Sequence, residues 1–253
     1  MYNQASIISH FNRATQYDVV AAVQHKHLEQ LLTTLSGRPI TNVADIGSGT
    51  AMLARLAKKH DLPWHITGVD IAPHMCEQAA AHQHHTMVGD MHDIPMAHSS
   101  VDAAISAFAL QWSPDPLLAI SELARITKPG GTIAILTFLD GTLRELRKAC
   151  KTAGTKAKTN HFHSADDYTS WCKQAKLAPI SQHTTSETTT YATVEALFHT
   201  LKQMGATNSN SGSLKGLGNR RELTMIRDAY TKQFARDEAI PASWEIGCWV
   251  WQK

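Results

Sequence analysis

The chain has 253 residues, 43% of them hydrophobic, enough for one compact α/β core with a modest insertion. Its 24 basic and 22 acidic residues leave a formal charge of +2, which excludes the strong overall field of a general nucleic-acid or anionic-membrane binder. Four scattered cysteines (Cys76, Cys150, Cys172, Cys248) form no C-x-x-C pair, so neither a disulfide framework nor a thiolate metal site is expected.

The opening MYNQASIISHFNRA lacks the apolar core of a secretory signal, and no run of about 18 apolar residues follows. A cytoplasmic protein that neither crosses a membrane nor binds nucleic acid is expected. Residues 11–35 predict a helix, with Tyr17, Val20, Leu28, Leu31, Leu32 and Leu35 at helical spacing and Ser36-Gly37-Arg38-Pro39 as its stop. Thr41–Ile46 predicts a short strand, Gly47-Ser48-Gly49-Thr50 a turn, and Met52, Leu53, Leu56 and Ala57 the inner face of a helix. A second unit repeats the rhythm with a strand at 65–70 and a helix at 73–82, Pro73 being tolerated near a helix start. The His82, His84, His85 cluster behind that helix lacks a cysteine or acidic partner at ligand spacing, so it reads as helix-end chemistry and no metal is expected.

Strands are expected at 86–90, 101–106 and 132–138, with a helix at 116–127 that ends at Lys128-Pro129-Gly130-Gly131. Five apolar strands alternating with helices imply a parallel sheet covered on both faces. Further on, the pattern predicts helices at 143–153, 166–175, 193–204 and 220–234, a Thr-rich strand at 180–191 and a closing strand at 243–251. The Ser/Gly/Asn stretch at 207–218 reads as a lid connector.

The segment V-A-D-I-G-S-G-T-A, residues 43–51, carries the first chemical signal. Gly47 and Gly49 permit a tight turn in which a ligand approaches backbone N–H groups at a helix start. Dinucleotide sites use a similar turn, but their third glycine would fall at Met52 here, and the Asp45 carboxylate would repel a pyrophosphate. Asp45 suits an ammonium group instead, which favours S-adenosylmethionine. Asp70 ends the second strand, where a carboxylate can accept two ribose hydroxyls. Each aspartate alone could be an ordinary strand-end or capping residue; their coincidence at strand ends beside the glycine turn points to a cofactor.

Gly89-Asp90-Met91, V-D-A-A-I-S-A-F-A-L-Q-W (101–112) and L-A-R-I-T-K-P-G-G (123–131) resemble, in order, segments of the class I S-adenosylmethionine-dependent methyltransferases. Ala51 stands where that superfamily often has a third glycine. The resemblance implies a Rossmann-like α/β fold: a seven-stranded, mostly parallel sheet with helices on both faces, an N-terminal helix and a C-terminal lid insertion. It implies S-adenosylmethionine as cofactor, held by Asp45, Gly47, Gly49, Asp70, Ile71, Asp90, Met91 and Ala107, with Asp90 meeting the adenine amino group and Met91 lining its ring.

H-F-N-R-A-T-Q-Y-D-V-V-A-A-V-Q (10–24), A-L-Q-W (109–112), T-F-L-D-G-T-L-R-E-L-R-K-A (137–149), N-H-F (160–162) and L-K-Q-M-G-A-T-N (201–208) resemble a narrower family, the malonyl-acyl-carrier-protein O-methyltransferases of early biotin synthesis. His161 stands where members often carry arginine. The resemblance implies methyl transfer to the free carboxylate of a malonyl thioester. It gives Tyr17 the role of closing over the methyl group, Gln111 and Trp112 the mouth, and Arg144 or His161 the malonyl oxygens. It implies one domain over 1–253, with an N-terminal cap (1–38), a cofactor core (39–139) and a substrate and carrier-protein region (140–253). An acyl carrier protein is acidic, so the basic stretch Arg144, Arg147, Lys148, Lys151, Lys156 and Lys158 is expected to dock it, with Arg220, Arg221 and Arg227 as a second group. A small-molecule methyltransferase and an idle cofactor-binding module share the cofactor segments and remain alternatives at this point.

Overall fold

The protein's computed structural model describes residues 22–155, 161–203 and 220–253. In chain order these form α1 (Ala22–Leu35), β1 (Asn42–Ile46), α2 (Met52–Lys59), β2 (His65–Asp70), α3 (Pro73–Ala79), β3 (His85–Val88) and β4 (Val101–Ala107). A 3-10 turn (Leu110–Trp112), α4 (Pro116–Ile126), β5 (Thr127–Phe138), α5 (Arg144–Thr152) and α6 (Ala165–Gln174) follow. The last elements are β6 (Ala178–Tyr191), α7 (Val194–Gln203), α8 (Arg220–Phe234) and β7 (Ile240–Gln252). The expected helix start at residues 11–21, the whole 204–219 segment including the expected lid connector, and residues 156–160 lie outside the described residues.

One seven-stranded sheet has the order β3-β2-β1-β4-β5-β7-β6. The pairs β1–β2, β1–β4, β2–β3 and β4–β5 are parallel. β7 runs antiparallel to β5: Gly130 N–H donates to Lys253 O at one end, and Leu139 N–H donates to Glu245 O at the other. The seven-stranded, mostly parallel expectation therefore holds. The strand order reverses between β1 and β4, and in such sheets ligands settle at the carboxyl ends beside that reversal.

The residues group into two compact units. One holds 22–137, His163–Thr184 and Gly247–Lys253. Its strands are buried apolar runs: Val43, Ala44 and Ile46; Ala103, Ala104 and Ile105; Ile133 to Leu136. Small alanines on adjacent strands leave room for helix side chains, and α4 fills its share with Ala119, Ile120, Leu123 and Ile126. Asp115 starts α4 by accepting from Leu118 N–H at 3.0 Å, with Pro116 at the first helical position.

The other unit holds Phe138–Phe162 and Thr185–Ile246 within the described residues. There α5 turns Glu145, Leu146, Ala149 and Cys150 inward. The buried Glu145 accepts from Ser243 N–H at 3.0 Å and Ser243 Oγ at 2.6 Å, which satisfies a charge that burial would otherwise penalise heavily. Tyr230 of α8 donates to Pro241 O at 2.7 Å.

Two expectations need correction. β5 opens at Thr127, not Thr132: Val101 pairs with Thr127 and Ala103 with Thr132, so Lys128–Gly131 bulge out of a continuous ladder. Gly131 fits there because a Cβ would fall 2.8 Å from Asp102 O and 2.9 Å from Lys128 O. His82 closes α3 with its backbone N–H, which donates to Ala79 O at 2.9 Å, whereas the His84 ring turns to β2: its Nδ1 accepts from Ile66 N–H at 3.1 Å and it packs edge-on against His65 at 4.7 Å.

Candidate active site

The carboxyl ends of β1, β2, β3 and β4 bring Asp45, Asp70, Asp90 and Ala107 together with the glycine turn after β1. Gly47 N–H donates to Val69 O at 2.7 Å, which folds the turn back over β2. Gly47 has φ +76°, and a Cβ on it would lie 2.2 Å from that of Ala109, so glycine is required there on both counts. Asp70 accepts from Gly49 N–H at 2.9 Å through Oδ2 and from Ala72 N–H at 2.9 Å through Oδ1. One carboxylate thus braces both the turn and the start of α3. It retains lone-pair capacity for a further donor such as a ribose hydroxyl. Burial nevertheless holds its pKa above the ordinary carboxylate range, against the pull of those backbone N–H groups. Ala51 sits in the left-handed region at φ +63°, where an alanine is strained, yet its methyl is fully buried.

Asp45 is 3% exposed and its pKa is pushed up to about 7, first by burial and second by the charge of Asp70. Among the described residues its close polar partner is Gln83, whose Nε2 donates to Oδ2 at 3.4 Å. Gly68 makes this contact feasible, since a Cβ at that position in β2 would lie 1.9 Å from Gln83 Oε1. A buried acid facing a second acid is a natural receptor for a cation.

Asp90 accepts from His92 on both its backbone and its ring. Met91, Ile71 and Ala107 are half-buried at the same strand ends. Beyond β4 the buried Gln111 has its carbonyl oxygen held by Thr137 Oγ1 at 2.8 Å, which fixes the amide's orientation, and Trp112 is half-buried beside it.

The remaining predicted site residues belong to the other unit or lie outside the described residues. Arg144 is exposed, with Nη1 at 2.7 Å from Glu245 Oε1 and Nε at 3.4 Å from Glu145. Arg147 reaches Asp140 at 3.2 Å and lies 5.5 Å over the Phe162 ring. His161 is exposed. Tyr17, Lys156, Lys158 and the side chain of Arg220 are not among the described residues. No three His, Cys, Asp or Glu residues gather as a metal site among the described residues, and no helix there is long and apolar enough to cross a membrane.

Comparison with known proteins gives this site its family. Residues 44–135 match the model of a methyltransferase domain. The chain is 33% identical to the malonyl-[acyl-carrier protein] O-methyltransferase of Pectobacterium atrosepticum, over 92% of its own length and 91% of that protein. It is 30% identical to the protein of the same name from Serratia marcescens, over 96% and 94% of the two chains. The chain belongs to the malonyl-[acyl-carrier protein] O-methyltransferase family. The methyltransferase also shares its fold with geranyl diphosphate C-methyltransferase from Streptomyces coelicolor, solved with S-adenosyl-L-homocysteine, at 15% identity and a TM-score of 0.53 over 90% of this chain and 78% of that one.

The turn of this methyltransferase fits S-adenosylmethionine on its own geometry. A Cβ placed on Gly49 would meet nothing within 4 Å, so the backbone there opens onto space. Ser48 Oγ is buried without a hydrogen-bond partner among the described residues, as expected of a group reserved for a ligand. Sequence reasoning passed over Gln83, His92, Ser113 and Thr137. Only Gly68, a glycine inside a strand, signalled that a side chain comes close.

Proposed function

We propose that this methyltransferase moves the methyl group of S-adenosylmethionine to the free carboxylate of a malonyl group carried on an acyl carrier protein, giving the methyl ester used in biotin synthesis. The observation that carries the reading is the 33% identity to the Pectobacterium enzyme over 92% of the chain, well beyond the cofactor segments. When bound, S-adenosylmethionine supplies a methyl group already activated on a sulfonium sulfur. Asp45 would hold its ammonium group, Asp70 its ribose and Asp90 its adenine amino group, with Gly47 and Gly49 allowing close approach and Ile71, Met91 and Ala107 lining the base.

The acceptor asks little of acid–base chemistry. A malonyl carboxylate is ionised at neutral pH, so the protein need only align its oxygen and exclude water. Gln111, fixed by Thr137, and Trp112 would shape the mouth, Tyr17 would close over the methyl, and Arg144 or His161 would orient the malonyl oxygens.

Carrier docking falls to α5. Arg144, Arg147, Lys148 and Lys151 follow i, i+3, i+4, i+7 spacing opposite the buried Glu145, Leu146, Ala149 and Cys150. Arg144 and Arg147 are partly neutralised by Glu245 and Asp140. The exposed Lys148 and Lys151 therefore carry most of the attraction for an acidic carrier. A cytoplasmic location belongs to this reading and suits four unpaired, buried cysteines.

The test incubates the protein with methyl-labelled S-adenosylmethionine and malonyl-acyl carrier protein, malonyl-coenzyme A or no acceptor. Base-labile label on the malonyl carrier protein is expected. Binding of the methyl donor without transfer to either thioester would overturn the proposal.

A further inference from the structure

A chain of hydrogen bonds leads away from Asp90. Its Oδ1 accepts from His92 N–H at 2.9 Å and lies 2.5 Å from His92 Nδ1. The opposite ring nitrogen, Nε2, lies 2.7 Å from Ser113 Oγ. Ser113 Oγ accepts from Asp115 N–H at 3.1 Å, and Asp115 is the residue that starts α4. For a neutral ring the polarity follows: the Ser113 hydroxyl donates to Nε2 and Nδ1–H donates to Asp90. Ser113 is only 6% exposed and the His92 side chain 18%, so water competes weakly for these bonds. The order Ser-His-Asp does not make a nucleophile here, because Ser113 is buried and spends its oxygen on Asp115 N–H.

The chain has two physical consequences. Two bonds from one residue onto one oxygen restrain rotation of the Asp90 carboxylate about its Cβ–Cγ bond. Ser113 also directly follows Gln111 and Trp112, so the same ring ties the end of β3 to the segment expected at the acceptor's mouth.

We propose that His92 is a positioning residue that sets the Asp90 carboxylate to read the nucleobase of the methyl donor and, through Ser113, locks that carboxylate to the Gln111–Trp112 segment. The proposal rests on the reading of Asp90 as the adenine contact. A fixed carboxylate accepts from an exocyclic amino group and repels a carbonyl oxygen at the same place; a turning one discriminates less.

Calorimetry with S-adenosylhomocysteine and with its deaminated, inosine-containing analogue tests both layers. The native protein is expected to prefer the adenine compound by about tenfold or more. His92→Ala should reduce that preference to about threefold or less, Ser113→Ala should reduce it partly, and Ser113→Thr, which keeps the hydroxyl, should restore it. If His92→Ala does not fold, Ser113→Ala decides, since it removes the bond that orients the His92 ring against Asp90 without touching Asp90 itself. An undiminished preference in the folded alanine variants would overturn the role of His92. No preference in the native protein would instead overturn the adenine role of Asp90, and the positioning role with it.

Discussion

Replacing Asp45 with asparagine should make the protein more stable and a poorer binder of the methyl donor. The carboxyl is buried, faces Asp70 and, among the described residues, has Gln83 as its one side-chain donor. Its displacement from 3.8 to about 7 corresponds, at about 1.4 kcal/mol per pH unit, to a penalty of about 4 kcal/mol on the ionised form. The sign follows from proton binding: the folded state holds the proton more tightly than the unfolded one, so the native protein loses stability as pH rises from about 4 to about 7. Asparagine has the same shape and no charge to bury. Asp45→Asn should therefore gain about 4 kcal/mol at pH 8 but only about 2 kcal/mol at pH 5, and local rearrangement would lower both values while keeping their order. Urea unfolding at the two pH values measures this directly. The variant should also lose about tenfold or more in affinity for S-adenosylmethionine, because the ammonium group loses its counter-charge. Equal gains at both pH values, or a loss at pH 8, would refute the reasoning.

Three further outcomes follow from the same geometry. Gly68→Ala should push the Gln83 amide off Asp45 and weaken S-adenosylhomocysteine binding by about three- to tenfold, read by calorimetry. Asp102 accepts from Thr41 N–H and Asn42 N–H and pairs with Lys128 at 2.7 Å, and these partners, Asn42 N–H foremost, hold its carboxyl below its usual range. Asp102→Ala should cost about 1–2 kcal/mol near pH 7, shrinking as acid protonates the native carboxylate below pH 4, read by urea unfolding across that range. Lys148→Ala with Lys151→Ala should raise KM for malonyl-acyl carrier protein by about three- to tenfold and flatten its salt dependence, while KM for malonyl-coenzyme A changes less.

The strand-turn-helix rhythm was legible because it is written locally. Apolar runs such as 43–46 and 103–105, and turn residues such as Gly47 and Gly49, act within a few positions of themselves. Asp45, Asp70 and Asp90 could be placed at strand ends for the same reason. What the sequence could not disclose were partners far apart along the chain. Arg144 meets Glu245 across 101 positions, Gln83 meets Asp45 across 38, and Thr137 meets Gln111 across 26. Nothing in the local pattern around His92 announces Ser113. The Lys128–Gly131 bulge misled because Pro-Gly-Gly normally ends a segment, whereas here β4 resumes the ladder two residues after Val101.

That bulge is fastened by the last two residues of the sequence. Lys253 exchanges backbone bonds with Gly130 and Gly131 and sends its ammonium to the carbonyls of Arg125 and Thr127, while Gln252 donates to Gly130 O. Changes at Gln252 and Lys253 are therefore not neutral choices. Removing 252–253 would unclasp the end of α4 from the first turn of β5 and expose carbonyls that a lysine now neutralises.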